Sequence, residues 1–318
     1  MLQKTQTFVL GAVMATAMVL PVVQPVALAE GEKIIVVSHG QANDPFWTVV
    51  KNAVEIAGND MSVEVDYRAP ETFDMVAMAQ LIEAAVQQEP DGLVVSIPDA
   101  DALGDAIRKA VAAGIPVVSM NSGSDVAAEL GVLFHVGQEE YDAGLGAGKK
   151  MQELGVKKLI CLNHEVGNVA LDMRCKGVND GYGSEVPVVP TAANTVDDVY
   201  AKIKATLQAD DSIDGIVTLG ASNAAEPTLK ALDELGMADM VKVGTFDLSA
   251  SVLEMIRDSK MAFAIDQQQF LQGYLPIVHL ALHARYKVLP GGNLPTGPGF
   301  ITQDNAAAVI ELSGKGLR

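Results

Sequence analysis

The residues with the clearest capacity for chemistry sit in short polar stretches that follow apolar runs. They are His39 to Trp47, Pro98 to Asp101, Asn121 to Asp125, Asn163 to Asn168, Gly220 to Asn223, Asp247, and Asp266 to Gln269. The set is rich in Asn, Asp, Gln and Ser, and the pair Phe46-Trp47 adds adjacent aromatic faces. Amides and carboxylates hydrogen-bond to hydroxyl groups, and an aromatic face covers the C–H side of a ring, so the combination suits a neutral polyhydroxylated ligand. Other readings compete at several positions. Phe46 and Trp47 could staple a helix start to the core, and Asp99 and Asp101 make good helix caps. Asn163-His164-Glu165 has the look of a metal or acid/base cluster, but no second His follows at the fourth position, so the metalloprotease pattern fails. No G-x-S-x-G elbow, P-loop or C-x-x-C is present, and no metal or cofactor is expected.

The elements that must position these residues are legible in the hydrophobic rhythm. Lys33 to Ser38, Val63 to Tyr67, Gly92 to Ile97 and Pro116 to Met120 read as strands. Helical spacing runs over Pro45 to Gly58, Phe73 to Gln88 and Asp101 to Ala113. The alternation restarts with a helix over Gln138 to Leu154. Strands Lys158 to Leu162, Val186 to Val189, Gly215 to Leu219 and Val241 to Thr245 then alternate with helices Ala170 to Gly181, Val196 to Ala209, Ala224 to Leu235 and Ser249 to Ser259. A further strand, a long helix around Gly273 to Tyr286 and a Pro/Gly-rich stretch Pro290 to Pro298 follow. Gly144-Leu145-Gly146-Ala147-Gly148 lies inside a predicted helix and so reads as close helix packing, not as a dinucleotide loop. Two successive βα series predict an α/β chain of two doubly wound, parallel-sheet lobes. In such sheets ligands bind beyond the carboxyl ends of the strands, where the polar stretches fall.

Composition narrows the setting. Lys4, the apolar run Phe8 to Leu20 and the small-residue triplet ending at Ala29 predict a secretory signal over 1–29, and therefore a periplasmic product. The formal charge is -18 over 318 residues, and removal of Lys4 makes the product one unit more negative. That acidity argues against nucleic acid and anionic membrane as partners. The two cysteines, Cys161 and Cys175, could form one disulfide or stay as buried thiols.

Three motifs taken together, Asn43-Asp44-Pro45-Phe46-Trp47, Val243-Gly244-Thr245-Phe246-Asp247, and Gln267 six residues before Gly273, resemble the ribose-type periplasmic sugar-binding proteins over essentially the whole mature chain. The resemblance implies a type I periplasmic binding fold, with two α/β lobes joined by three crossover strands near His135 to Gln138, Asp266 to Gln269 and Gly297 to Thr302. It implies a first lobe of 30–136 plus 268–297 and a second of 137–267 plus 298–318. It also implies a monomeric binding protein, not an enzyme, that captures a monosaccharide or polyol for the permease of an ABC-type importer. The alternative role is a sensor subunit presenting a sugar-like signal to a membrane receptor. A transcription regulator of this fold would need a helix-turn-helix before Lys33, where the signal-like segment stands.

Position by position, the resemblance places Asp44, Phe46 and Trp47 in the loop that contacts and stacks on the sugar. Arg174 matches a second-lobe arginine, Asp247 a carboxylate accepting hydroxyls, and Gln267 the hinge glutamine. Asn121 and Ser122 stand where the family carries Asp and Arg, and Asn194 where a second aromatic would stack, which argues against ribose itself. The replaced Asp-Arg pair leaves room that His39 and His164 could reach, with Asn163, Glu165 and Asn223 as neighbours.

Overall fold

The computed structural model describes residues 1–2, 31–40, 44–192 and 195–318; the predicted signal segment lies almost entirely outside the described residues. The chain starts its first lobe with β1 (Lys33–Val37), α1 (Pro45–Met61), β2 (Glu64–Arg68), α2 (Met75–Val86), β3 (Gly92–Val95), α3 (Ala100–Ala112), β4 (Val117–Met120) and β5 (His135–Gly137). Strand β1 is apolar and buried from Ile34 to Val37 because both faces are covered there, as a parallel sheet requires. Ile35 and Val37 pack with Met78, Ile82 and Ile107 of α2 and α3. Ile34 and Val36 pack on the opposite face with Val50 and Val54 of α1.

The second lobe holds α4 (Glu140–Glu153), β6 (Leu159–Asn163), α5 (Val169–Tyr182), β7 (Val188–Pro190), α6 (Val196–Ala209) and β8 (Gly215–Thr218). After a π-helical turn, Ala221–Ala225, come α7 (Glu226–Leu235), β9 (Lys242–Phe246), α8 (Ala250–Arg257) and β10 (Phe263–Asp266). The chain then returns to the first lobe as α9 (Gln269–Tyr286), whose Ile277 and Leu280 join the α1 face of the core. Strand β11 (Leu294–Pro295) extends the first sheet, β12 (Gly299–Ile301) the second, and α10 (Ile310–Gly314) ends the chain against α8.

The sheets run in the order β11-β5-β4-β3-β1-β2 and β12-β10-β9-β8-β6-β7. Every pairing is parallel except β10 with β12. The chain is thus two doubly wound α/β lobes, as the alternating pattern predicts. Three segments pass between the sheets: after β5, after β10, and between β11 and β12.

Two elements depart from the sequence reading. Helix α9 begins at Gln269, ahead of Gly273, because Gln268 takes a left-handed conformation (φ 52°) that turns the chain straight from β10 into the helix. Gly273 serves packing instead: a Cβ there would lie 2.4 Å from the Val50 carbonyl, so α9 can cross α1 closely only without a side chain. The helix predicted from Ala224 is preceded by the π turn, and its regular part begins at Glu226.

The glycines of Gly144 to Gly148 lie in α4 and press on α5. A Cβ on Gly144 would meet the Arg174 carbonyl at 2.1 Å, and one on Gly148 the Val178 carbonyl at 2.2 Å. From the facing helix, a Cβ on Gly177 or Gly181 would meet the Tyr141 or Leu145 carbonyl equally closely, at 2.2 and 2.1 Å. Glycines four apart on both helices form one bare seam. Cys161 of β6 and Cys175 of α5 are bonded through sulfur, with Cα atoms 5.8 Å apart, which ties the same helix to its sheet.

Candidate functional site

Each strand that points into the space between the lobes delivers a polar residue at or just past its carboxyl end. His39 follows β1 by two residues, Asn121 follows β4, His164 follows β6, Asp247 follows β9 and Gln267 follows β10. Together with Asp44, Phe46, Trp47 and Arg174, these residues line a cavity, partly open to solvent, whose empty space including that open part is about 390 Å³. Glu165, Asn168 and Leu219 line it as well. An adjoining recess of about 260 Å³ shares Asp44, Phe46, His164 and Asp247 and adds Asn223.

One wall is aromatic. Trp47 meets the His39 ring edge-on at 4.8 Å between centroids and the Phe46 ring at 5.1 Å, and Phe73 backs His39 at 5.9 Å. Gly40 makes room for this arrangement, since a Cβ there would lie 2.1 Å from Trp47 Cγ. Asp44 starts α1 as its N-cap, accepting from the Phe46 amide at 2.9 Å, so the aromatic pair is held by the helix start itself. His39 is fixed by Ser96, whose Oγ lies 3.0 Å from its amide and 2.7 Å from Nδ1.

The opposite wall comes from the second lobe and the crossover. Arg174 is 3% exposed and gives Nε and Nη2 to the two oxygens of Glu140, at 2.5 and 3.0 Å, and Nη1 to the Leu219 carbonyl at 3.1 Å. Its guanidinium carbon lies 4.6 Å from the centre of the Phe246 ring. Gln267 donates to Asp247 at 2.5 Å and accepts from Asn121 at 3.3 Å and Gln272 at 3.0 Å. One amide on the second crossover therefore ties loops of both lobes. Asn121 and Asp247 hold φ of 65° and 68°, a left-handed conformation that costs other side chains more than Asn or Asp. Such strained positions concentrate at functional sites.

Contacts also cross the cleft directly. Asn223 donates to Asp44 at 3.1 Å, and the Val169 amide donates to the Pro98 carbonyl at 3.0 Å.

Burial sets the charge states. It lifts Asp247 to about 7, against the pull of Arg174 and Gln267. It lifts Glu165 to about 7 and Asp44 to about 6. Burial, with the Arg174 charge adding, depresses His39 to about 3 and His164 to about 4. Both imidazoles are neutral at physiological pH and can donate and accept at once. Among the described residues, no group of three His, Cys, Asp or Glu side chains is placed to hold a metal ion.

The sequence expectations map onto this geometry unevenly. His39, Asp44, Phe46, Trp47, Asn121, His164, Arg174, Asp247 and Gln267 all reach the cavity. Ser122 does not: its amide bonds back to the Met120 carbonyl at 2.8 Å, and this tight turn leaves it buried outside the cavity lining. Asn194 lies outside the described residues. Asn163 bonds Asp172 and caps the Glu165 amide, so it shapes the loop without lining the cavity. Glu140 went unread, because an acidic residue in the first turn of a helix looks like a complement to the helix dipole. Only the crossing of α4 over α5 brings it to Arg174.

Residues 34–287 match the family model described as a periplasmic binding protein domain. Among curated proteins, the xylose/arabinose-binding protein XylF of Sulfolobus acidocaldarius is 25% identical over 291 residues, which are 86% of this chain and 71% of that protein. Among solved structures, a carbohydrate transporter from Acidothermus cellulolyticus, in complex with myo-inositol, matches with a TM-score of 0.86 and 34% identity. That match covers 91% of this chain and 100% of the other. A periplasmic sugar-binding protein of an ABC sugar transporter from Legionella pneumophila matches with a TM-score of 0.78 and 25% identity, over 84% of this chain and 99% of the other. With the family model spanning most of its length and a cleft between two parallel-sheet lobes, the chain belongs to the periplasmic binding protein family.

Proposed function

We propose that this protein is an extracytoplasmic solute-binding protein that captures a monosaccharide or related cyclic polyol in the cleft and presents it to an ABC-type importer. The observation that carries this is the pairing, in one cleft pocket, of an aromatic wall from the first lobe with a ring of amides, imidazoles and carboxyls from both lobes. Such a cavity offers a ring a face to lie on and its hydroxyls a partner in every direction. The solved relative with myo-inositol bound supports a six-membered cyclic polyol as the first scaffold to try.

In this reading residues 30–136 with 268–297 move as one lobe and 137–267 with 298–318 as the other. The chain is exported by its first 29 residues, acts as a monomer and turns nothing over. Among the described residues no helix is long and apolar enough to cross a membrane. Ligand bridges Trp47 and Asp44 on one side to Asp247 and Arg174 on the other. It thereby favours the closed arrangement that the membrane partner distinguishes.

The test is a thermal-shift screen against monosaccharides and cyclic polyols. Ligand at about 100 times its Kd adds about 2.7 kcal/mol. A hit lost in both Trp47→Ala and Asp247→Ala supports the reading; product formation on prolonged incubation, or no hit across the panel, refutes it. Uptake and receptor signalling in a deletion strain separate import from a purely sensory role.

A further inference from the structure

The hydrogen-bonding polarity of one corner of the cavity is decided outside it. Gln272 sits near the start of α9, is fully buried and does not line the cavity. Its Nε2 lies among three oxygens: the Gln267 main-chain carbonyl at 3.1 Å, Gln267 Oε1 at 3.0 Å and Thr296 Oγ1 at 3.1 Å. The main-chain carbonyl can only accept. Thr296 Oγ1 spends its own proton on that same carbonyl at 2.7 Å, so it too accepts from Gln272. The Gln272 amide therefore has one workable orientation, with Nε2 toward the crossovers and Oε1 toward Asn121. From there the orientation propagates. Gln272 Oε1 takes one hydrogen of Asn121 Nδ2 at 3.1 Å, and the other goes to Gln267 Oε1 at 3.3 Å. Gln267 Oε1, receiving from both neighbours, cannot exchange places with its nitrogen, so Nε2 stays on Asp247. The backbone of Asn121 is held as well, its amide on the Val136 carbonyl at 3.0 Å. With both hydrogens engaged inside the protein, the Asn121 side chain has only Oδ1 left for a solute. No donor among the described residues reaches that oxygen, and it is not sealed from the cavity that Asn121 lines.

Resting on the sugar-binding reading, we propose that Gln272 is a positioning residue that fixes Asn121 as a hydrogen-bond acceptor, and that the solute meets Asn121 with a hydroxyl donor. A ring that carries a carbonyl, an ether oxygen or no oxygen at that place is disfavoured. Asn121 has no hydrogen to offer an acceptor, and its carbonyl oxygen, dry once the solute is seated, would go unpaired against a C–H group. Without an anchor the terminal torsion of Asn turns readily and either end of the amide can face the solute. Here the anchor is made of a main-chain carbonyl and a hydroxyl on two crossovers, at Gln267 and Thr296. The choice of donor or acceptor is thus written into the part of the molecule where the lobes join, not into the cavity wall.

The experiment is calorimetric titration of the mature protein, first with myo-inositol, D-xylose, D-arabinose and D-allose. The ring that binds tightest is then compared with its single-deoxy forms, each lacking one hydroxyl. In the parent, loss of the hydroxyl that meets Asn121 should cost about 100-fold or more in affinity. Gln272→Met conserves volume but anchors nothing. It should reduce that penalty, at one ring position or two adjacent ones, by about tenfold, while the remaining penalties stay within about threefold. Thr296→Val takes one acceptor from the same nitrogen and should give the same pattern at smaller size; it stands in for Gln272→Met should that variant not fold. A loss of affinity equal for every deoxy form, or no change in any penalty, gives Gln272 a structural role only. Either result overturns the proposal and leaves the sugar-binding reading standing. Binding of none of the four rings overturns both.

Discussion

His39 Nε2 stands 3.8 Å from Glu165 Oε2 across the cleft, yet at neutral pH the two do not form an ion pair. Burial depresses the imidazole to about 3 and lifts the carboxyl to about 7, so a neutral imidazole meets a carboxyl that is only about half ionised. The contact joins the loop after β1 to the loop after β6, and its character depends on both being dry.

That relationship predicts opposite pH signatures for the two groups. A raised carboxyl stabilises the fold below its unfolded value, and this contribution is lost as pH rises through about 7. A depressed imidazole contributes above its unfolded value near 6.5, and this is lost as pH falls toward about 3. Asp44 and Asp247 act in the sense of Glu165, while His164 and His135 act in the sense of His39. The carboxyl and imidazole trends therefore oppose one another between about pH 4.5 and 6.5, and the carboxyl trend alone remains above. Relative to the parent, Glu165→Gln should gain about 1–3 kcal/mol between pH 5 and pH 8. Urea unfolding of both proteins across that range checks it, and parallel curves would contradict it.

The aromatic wall gives a second prediction. Gly40→Ala would place a methyl group 2.1 Å from Trp47 Cγ, so the indole must turn away from the cavity. Ligand affinity should fall about 10–100-fold, comparable to Trp47→Ala, while folding stability falls by only about 1–3 kcal/mol. Calorimetry with the best polyol, alongside a denaturant melt, separates the two effects.

The bare seam between α4 and α5 gives a third. Gly144→Ala drives its methyl group into the Arg174 carbonyl, where backbone cannot yield as a side chain would. It should cost about 1–3 kcal/mol and also weaken binding, because the displaced segment carries the cavity's guanidinium. Gly291→Ala, with no atom within 4 Å, should stay within about 0.5 kcal/mol of the parent. Equal melting points for the two variants would refute the packing argument.

Much of this architecture was legible because parallel strands buried on both faces become unbroken apolar runs, as in Ile34 to Val37. The polar residues that end such runs then fall on the cleft by topology alone, which is how Asn121, His164 and Asp247 were found. What escaped notice depends on contacts distant in the chain or on backbone conformation. Glu140 and Arg174 are 34 residues apart, and their meeting is a property of a helix crossing. Ser122 is removed from the cavity by the tight turn at Met120, which its residue type does not announce. Strand β11 spans two residues within the Pro/Gly-rich stretch and β12 three residues just past it, too short for any periodicity to show.

Joining Cys161 to Cys175 closes a loop with a sequence separation of 14, for which chain entropy predicts a stabilisation of about 3 kcal/mol. The bond also anchors the residue next to Arg174. Reduction, or the Cys161→Ala/Cys175→Ala pair, should lower the midpoint of denaturation by that order and weaken ligand binding. An unchanged midpoint would show that the bond stabilises only a state already held by the α4–α5 seam.

The Glu140–Arg174 pair allows structural and recognition roles to be separated. Both groups are buried, at 8% and 3% exposure, so removing one charge strands the other. Glu140→Gln should therefore cost about 3–5 kcal/mol. Replacing both, as Glu140→Gln with Arg174→Gln, leaves no isolated charge and should recover a good part of that stability. Binding should respond differently. If Arg174 touches solute as well as holding α5, the double variant regains stability without regaining affinity. If its role is only to hold the helix, affinity returns with the fold. A double-mutant cycle read in parallel by denaturant melts and calorimetry decides between these outcomes.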